Sequence, residues 1–424
     1  MRSRALILLL LALMGGTAQA AAEEDVDQAT RLLAEGRLDE AEALVQRLRS
    51  EAQPPLQVIF LSGMIRIERG RYLDAAAEFR RMLQQDPSLL RPRLELGRAL
   101  FLAGEYQAAL YNFEQALSVP LPDAVRENVL SYVNAIRDYE PSLILSVDLV
   151  YDSNPKQATS SDTVEIGGRL YRLNADAQEQ SSVGLGVKAS GKLPFGDDRA
   201  WFVRGYTEAY DYSNRDLDFA YLQGLAGRHF ALGPHGIDVE AGGHYASYQG
   251  NDLYRGLNVI VTDFVRLRTN LTLTAAVDAR QLDYYDYPFL DGWQYIESAE
   301  LRYALTPQQS LRGGGLLIQS IASDEAFSFD GYGLNARYVQ EWSGGWISSV
   351  SGQYARYRYR AADPFFGDRR DDTEWRTELM LTNRKLVFRG AAPTLTLGYV
   401  DRGSNIELYA FNRTYVRVGI TKEF

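Results

Sequence analysis

The chain has 424 residues, no cysteine, three histidines, and 55 acidic against 45 basic side chains, for a formal charge of −10. That length suggests more than one domain; the lack of cysteine excludes disulfides, thiolate metal sites, a cysteine nucleophile and the lipidated cysteine of a lipoprotein. The acidic balance has the wrong sign for a phosphate backbone, so no nucleic acid is expected as a partner.

Residues 1–20 open with Arg2 and Arg4, continue through the apolar run Ala5 to Met14, and close on Ala18-Gln19-Ala20. This order of basic, apolar and small residues predicts a secretory signal peptide, because the run is only about half the roughly 20 residues a spanning helix needs. No later segment is apolar for long enough to span as a helix. Membrane residence would therefore have to come from strands.

Between Ala22 and Ser118 the sequence repeats with a period of 34: Gly36, Gly70 and Gly104 each open a similar phrase, and the offset also links Ala29, Gly63 and Gly97, then Val45, Phe79 and Phe113. The pattern resembles the tetratricopeptide (TPR) repeat, with Gly at the turn, a small residue where paired helices touch, an aromatic plug, and Pro87 ending a repeat. Pro122-Asp123 begins a further helix through Val125, Val129, Val133 and Ile136, expected as a cap. A periplasmic all-α TPR domain of about three repeats plus cap is thus expected over 22–139. Carrying the repeat pattern over places Gln57, Phe60, Met64 and Ile67, with Arg91, Leu94, Arg98 and Phe101, along a concave groove. Apolar side chains mixed with arginine suit an extended, partly hydrophobic peptide; the same residues would equally serve packing against the cap or the next domain.

At Pro141 the period changes to two, as in Leu143, Leu145, Val147, Leu149 and Tyr151 against Ser146 and Asp148. All five tryptophans and 22 of the 27 tyrosines lie beyond this point, many near strand ends, as aromatic girdles require. Tight breaks at Ser343 to Gly345, Thr306 to Gln309 and Arg268 to Asn270 alternate with the long segments Asp152 to Gln180, Asp283 to Gly292 and Ala361 to Asp372. Fourteen candidate strands, from 142–151 to 409–424, use about 20 residues each with their connections, as outer-membrane barrels do. The fold class expected is α + β multidomain: the TPR solenoid, then a 14-stranded antiparallel transmembrane β-barrel over 141–424. Apolar faces point outward. Inward candidates are Asp148, Lys188, Arg204, Glu208, Asp278 and Arg280, then Glu300, Arg302, Arg337, Arg356, Arg358, Arg376 and Glu378, a set of mixed sign whose members more readily stabilise the barrel as pairs than act alone. The final strand ends on Phe424 after Ile420, Val418 and Val416, similar to the terminal strand read by the barrel assembly machinery, although Lys422 departs from that pattern.

The helix from Val125 to Arg137, followed by a first strand ending Leu149-Val-Tyr-Asp152-Ser-Asn154-Pro155, resembles the surface lipoprotein assembly modulators (Slam), and the likeness covers nearly the whole mature chain. The resemblance implies a periplasmic TPR domain on an outer-membrane barrel that delivers clients, either lipoproteins or secreted haem- and metal-scavenging proteins, to the cell surface. A role for Asp152 and Asn154 competes with a plain turn, which Asp-Ser-Asn-Pro favours by itself. Expected partners are a client, outer-membrane lipid and the barrel assembly machinery, with a monomer as the expected state. A polysaccharide exporter and a surface adhesin are the alternatives.

Enzyme chemistry has little support. His229, His235 and His244 show no ligand spacing, so no metal and no cofactor are expected. His244 with Ser247 lacks a supporting nucleophile motif. Gly184-x-Gly186 and Gly313 to Gly315 sit in strands, where no phosphate loop forms.

Overall fold

The computed structural model describes residues 24–50, 55–386 and 391–423. The expected signal peptide and Phe424 lie outside these residues. Two compact units are present, Met1–Asn112 and Phe113–Phe424.

The first unit is built from helices α1 (24–34), α2 (Leu38–Arg49), α3 (Leu56–Glu68), α4 (Tyr72–Gln85), α5 (Leu90–Leu102) and most of α6 (Tyr106–Ala116). Apolar residues recur at helical spacing, so α2 buries Ala41, Val45 and Leu48 against Val58, Leu61 and Ile65 of α3. Each Val, Leu or Ile among them contributes about 1.5–3 kcal/mol when fully buried. The repeated glycines have one backbone reason. Gly36, Gly70 and Gly104 adopt φ of 74°, 71° and 80°, and the residue after each donates its N–H back across the turn, Arg37 to Leu32 at 2.9 Å, Arg71 to Arg66 at 2.8 Å and Glu105 to Leu100 at 2.9 Å. This left-handed cap closes the helix and starts its partner. Gly63 answers a different need, since a Cβ there would stand 2.6 Å from the Phe79 ring.

The second unit begins with the end of α6 and continues into α7 (Asp123–Tyr139), which buries Val129, Val133 and Ile136 and stacks Tyr132 on Phe113 at 5.0 Å. The strands follow: β1 (Ser142–Asp152), a small hairpin of β2 (Thr163–Ile166) and β3 (Arg169–Arg172), then β4 (Ser182–Phe195), β5 (Trp201–Tyr212), β6 (Phe219–Leu232), β7 (His235–Tyr248), β8 (Asn251–Arg268) and β9 (Leu271–Tyr284). The wall is completed by β10 (Gly292–Thr306), β11 (Gln309–Ala322), β12 (Phe329–Glu341), β13 (Trp346–Ala362), β14 (Arg369–Asn383), β15 (Ala391–Ser404) and β16 (Phe411–Glu423). Fourteen of these close into an antiparallel barrel, with β1 pairing both β4 and β16. Closure removes every sheet edge, which a strand in hydrocarbon requires.

All fourteen candidate strands are present, some longer than expected. β8 starts as early as Asn251 because Gln249 and Gly250 both take positive φ, 56° and 73°, and turn the chain in two residues. The β2–β3 hairpin, unforeseen in its long loop, turns the same way at Gly167-Gly168.

Alternation sets the faces. All five tryptophans face outward at 45–57% exposure, with Trp201, Trp342 and Trp346 at the barrel end where β1 begins and Trp293 and Trp375 towards the other. Two expectations need correction. Tyr332, Leu334 and Val350 face outward, so register places Arg356 and Arg358 outside as well, where both approach Asp371, and turns Tyr357 and Tyr359 inward. The tyrosines are also less of a girdle than their number implied: Tyr206, Tyr210, Tyr212, Tyr254 and Tyr415 face the lumen beside charged or aromatic partners. A phenol has an apolar ring and a donor tip, so it suits a polar wall as well as an interface.

Candidate functional site

The structure brings most of the groove residues together. On α3, Gln57 is exposed and Phe60 and Met64 are half-buried on one face; on α5, Arg91 is exposed, with Leu94, Arg98 and Phe101 half-buried. The Arg91 guanidinium lies 6.0 Å from the Phe60 ring centroid, and Phe60 packs on Phe79 at 5.6 Å. Ile67 is the exception. It is only 4% exposed and belongs to the packed interior, offering no surface to a ligand. Reading the sequence missed Glu95, which is buried and holds both arginines, Arg91 at 2.9 Å and Arg98 at 3.6 Å. Glu78 plays a similar part on α4, receiving Arg49 at 2.8 Å, Arg81 at 3.2 Å and Arg66. Burial pushes the Glu78 carboxyl up, but hydrogen bonds from Arg66 and Arg49 outweigh that and hold it below its ordinary value.

Asp152 and Asn154 form a clasp, both fully buried. Asp152 accepts from Arg413 at 2.5, 2.9 and 3.0 Å, from the Tyr212 hydroxyl at 3.2 Å and from the Asn154 backbone at 3.0 Å. Asn154 donates its amide to the carbonyls of Asn412 at 3.0 Å and Ala158 at 2.8 Å, and accepts from the Ala158 N–H at 3.0 Å. The motif thus joins the first strand, the last strand, β5 and the first long loop. Its turn is real, yet the side chains do more than turn the chain. Arg413 was missed because nothing in its own neighbourhood marks it.

Inside the wall, side chains pair across strands: Lys188 with Glu208 at 2.7 Å, Arg417 with Glu378 at 2.6 Å, Arg402 with Glu374 at 2.5 Å, and Lys192 and Arg204 with Asp238 at 3.0 and 3.2 Å. Asp278 pairs with Arg280, and Arg302 reaches Glu114 of α6 at 3.2 Å. Between them lies a cavity of about 960 Å³ whose lining includes Asp152, Lys188, Arg312, Arg337 and Glu378. Asp148 is buried in the wall. His229 is held by Asp238 at 2.7 Å, and His244 sits between the rings of Tyr221 and Tyr254. Among the described residues no three His, Asp or Glu side chains converge as metal ligands would.

The wall is thus a closed barrel with an apolar outside, a charged inside and a clasp between its terminal strands. The family model described as surface lipoprotein assembly modifier matches residues 143–424. The chain belongs to this family. Among similar members, surface lipoprotein assembly modifier 1 of Neisseria meningitidis serogroup B is 25% identical over 392 residues, covering 88% of this chain and 78% of the relative. The surface lipoprotein assembly modifier of Moraxella catarrhalis is 22% identical, covering 88% and 74%. The hemophilin secretion modulator of Acinetobacter baumannii is 22% identical, covering 86% and 78%. Solved barrels are more distant: OccAB3 of Acinetobacter baumannii has a TM-score of 0.37 at 10% identity, covering 67% of this chain and 99% of that one. The chain is an outer-membrane barrel protein with a helical N-terminal region.

Proposed function

We propose that the chain is an outer-membrane translocator that delivers client proteins, surface lipoproteins or secreted haem-binding proteins, to the cell surface. The observation that carries this reading is the family match together with a polar-lined barrel of 14 strands preceded by helices bearing an apolar-and-arginine face. The role is one of binding and passage rather than catalysis. In it, the repeat domain of 22–139 lies in the periplasm after removal of residues 1–20. Gln57, Phe60, Met64, Arg91, Leu94, Arg98 and Phe101 engage an extended client segment. Asp152 and Asn154 hold the barrel closed. Phe424 directs insertion by the barrel assembly machinery, and the outward aromatic band contacts lipid in a monomer.

The test is client display. Expressed with a reporter lipoprotein, the intact chain is expected to make the reporter accessible to external protease, and Phe60→Ala with Arg98→Glu to reduce that accessibility several-fold while the heat-modifiable barrel stays at wild-type level. Equal display by the double variant removes the groove from the mechanism. Absence of display with the intact chain, across several reporters, removes the translocator reading.

A further inference from the structure

The inner wall contains an arrangement that pairing does not explain. On β10, β11 and β12, Arg302 stands directly opposite Arg312, and Arg312 directly opposite Arg337. All three share the inward face, because their sequence neighbours Leu301, Leu311 and Tyr338 are exposed on the outer one. Side chains directly opposed on adjacent strands have Cβ atoms about 4.5–5.5 Å apart, and like charges placed so are destabilising. The flanking members find partial relief. Arg302 reaches Glu114 at 3.2 Å, while Arg337 is 4.0 Å from a Glu378 carboxylate that already receives Arg417 at 2.6 Å and the Tyr415 hydroxyl at 3.0 Å. Arg312, the middle member, has no ion pair within 4.0 Å and no side-chain hydrogen bond among the described residues, and the carboxylates of Glu300 and Glu114 act on it only from farther off, against the two flanking arginines.

The cavity around Arg312 and Arg337 shows the same bias. Its lining carries seven basic and four acidic side chains, although the chain as a whole is acidic by ten charges. At about 960 Å³ it lies at the upper end of ordinary ligand pockets, which hold about 300–1,000 Å³. Three of the four carboxylates are already paired, Asp152 with Arg413, Glu208 with Lys188 and Glu378 with Arg417, so the excess is basic, and a low-dielectric wall with an excess of one sign attracts ions of the other.

We propose that the Arg302, Arg312 and Arg337 row is a carboxylate-binding site, occupied during transit by an Asp- or Glu-rich stretch of client polypeptide. Guanidinium groups bind carboxylates through two parallel hydrogen bonds, and an entering carboxylate converts the repulsion along the row into attraction. The source of the carboxylates rests on the translocator reading; the site itself does not.

The test uses the purified full-length protein in detergent micelles, titrated with a short fluorescent oligoglutamate and, separately, with oligolysine. Saturable oligoglutamate binding that weakens with added salt is expected, about tenfold weaker in Arg312→Gln and Arg337→Gln, with little oligolysine binding. Arg312→Gln should also resist unfolding at least as well as the wild type, since it relieves a like-charge contact; this separates lost binding from lost fold. Equal oligoglutamate affinity in wild type and both variants, or oligolysine bound as tightly, overturns the site. If Arg312→Gln loses oligoglutamate yet displays clients normally, the client is not the source, and competition by citrate in the same titration then assigns the row to small polycarboxylates. A chain that displays no client but binds oligoglutamate as described loses the translocator reading and keeps the site.

Discussion

The helical unit and the barrel draw on the same amino acids and place them in opposite ways. In α3 and α4 the apolar side chains Ile65 and Phe79 are buried and the arginines sit at the surface or over a buried carboxylate. In the barrel Leu334 is 62% exposed on the outside, while Asp152 and Asp372 are among the most deeply buried residues. Each unit puts its apolar atoms where its surroundings are apolar. For the helices that is their own interior; for the strands it is lipid. Composition therefore says little about which arrangement a segment adopts, and the period of the pattern says a great deal.

Substitutions that break the rule in one unit and respect it in the other sharpen the contrast. The largest effect is expected at the clasp. Asp152→Ala leaves the largely buried Arg413 without its counter-ion, a loss of about 3–5 kcal/mol, read as a lower urea midpoint for the folded, heat-modifiable form. Restoring an apolar pair with Asp152→Leu and Arg413→Met should recover much of that loss if the pair supplies closure rather than chemistry. Next, Leu334→Arg should cost about 2–4 kcal/mol near the middle of the lipid-facing band. Leu73→Arg, on a comparably exposed position of α4, should stay within about 0.5 kcal/mol. Equal costs at the two leucines would mean that the outer face of β12 is not in lipid. The smallest effect concerns acid. Glu78 is held below its ordinary value in the folded helices, so its contribution is present above the unfolded-state value and lost as pH falls through the lower folded one. Helical circular dichroism followed down in pH should show that loss in the wild type, whereas Glu78→Gln should be less stable at neutral pH and flatter in acid.

Much of the architecture could be read from local pattern. The 34-residue glycine period works because a left-handed cap tolerates little else, and the strands were readable because alternation of Leu and Val with polar residues has only one interpretation over ten residues or more. The errors occur where local pattern is ambiguous. In Arg356-Tyr-Arg358-Tyr-Arg360 both residue types suit a membrane rim or a lumen, and only counting in steps of two from Trp346 and Val350 decides the face. Ile67 shares the helical stripe of Phe60 and Met64, so spacing alone puts it on the open face, but at the end of α3 the fold buries that stripe. The partners of Asp152 and the three opposed arginines were not legible at all. Register across strands is a property of the closed barrel, and no single strand contains it.

The clasp also bears on how the chain reaches its final state. Asp152 and Arg413 are 261 residues apart, and every barrel strand but the last lies at or before Ser404. A chain that lacks β16 lacks both Arg413 and Asn412, so Asp152 has no such cation and the Asn154 amide no such carbonyl. The ion pair therefore forms only when the last strand closes on the first, so its contribution belongs to the closing seam and to no earlier pairing of strands.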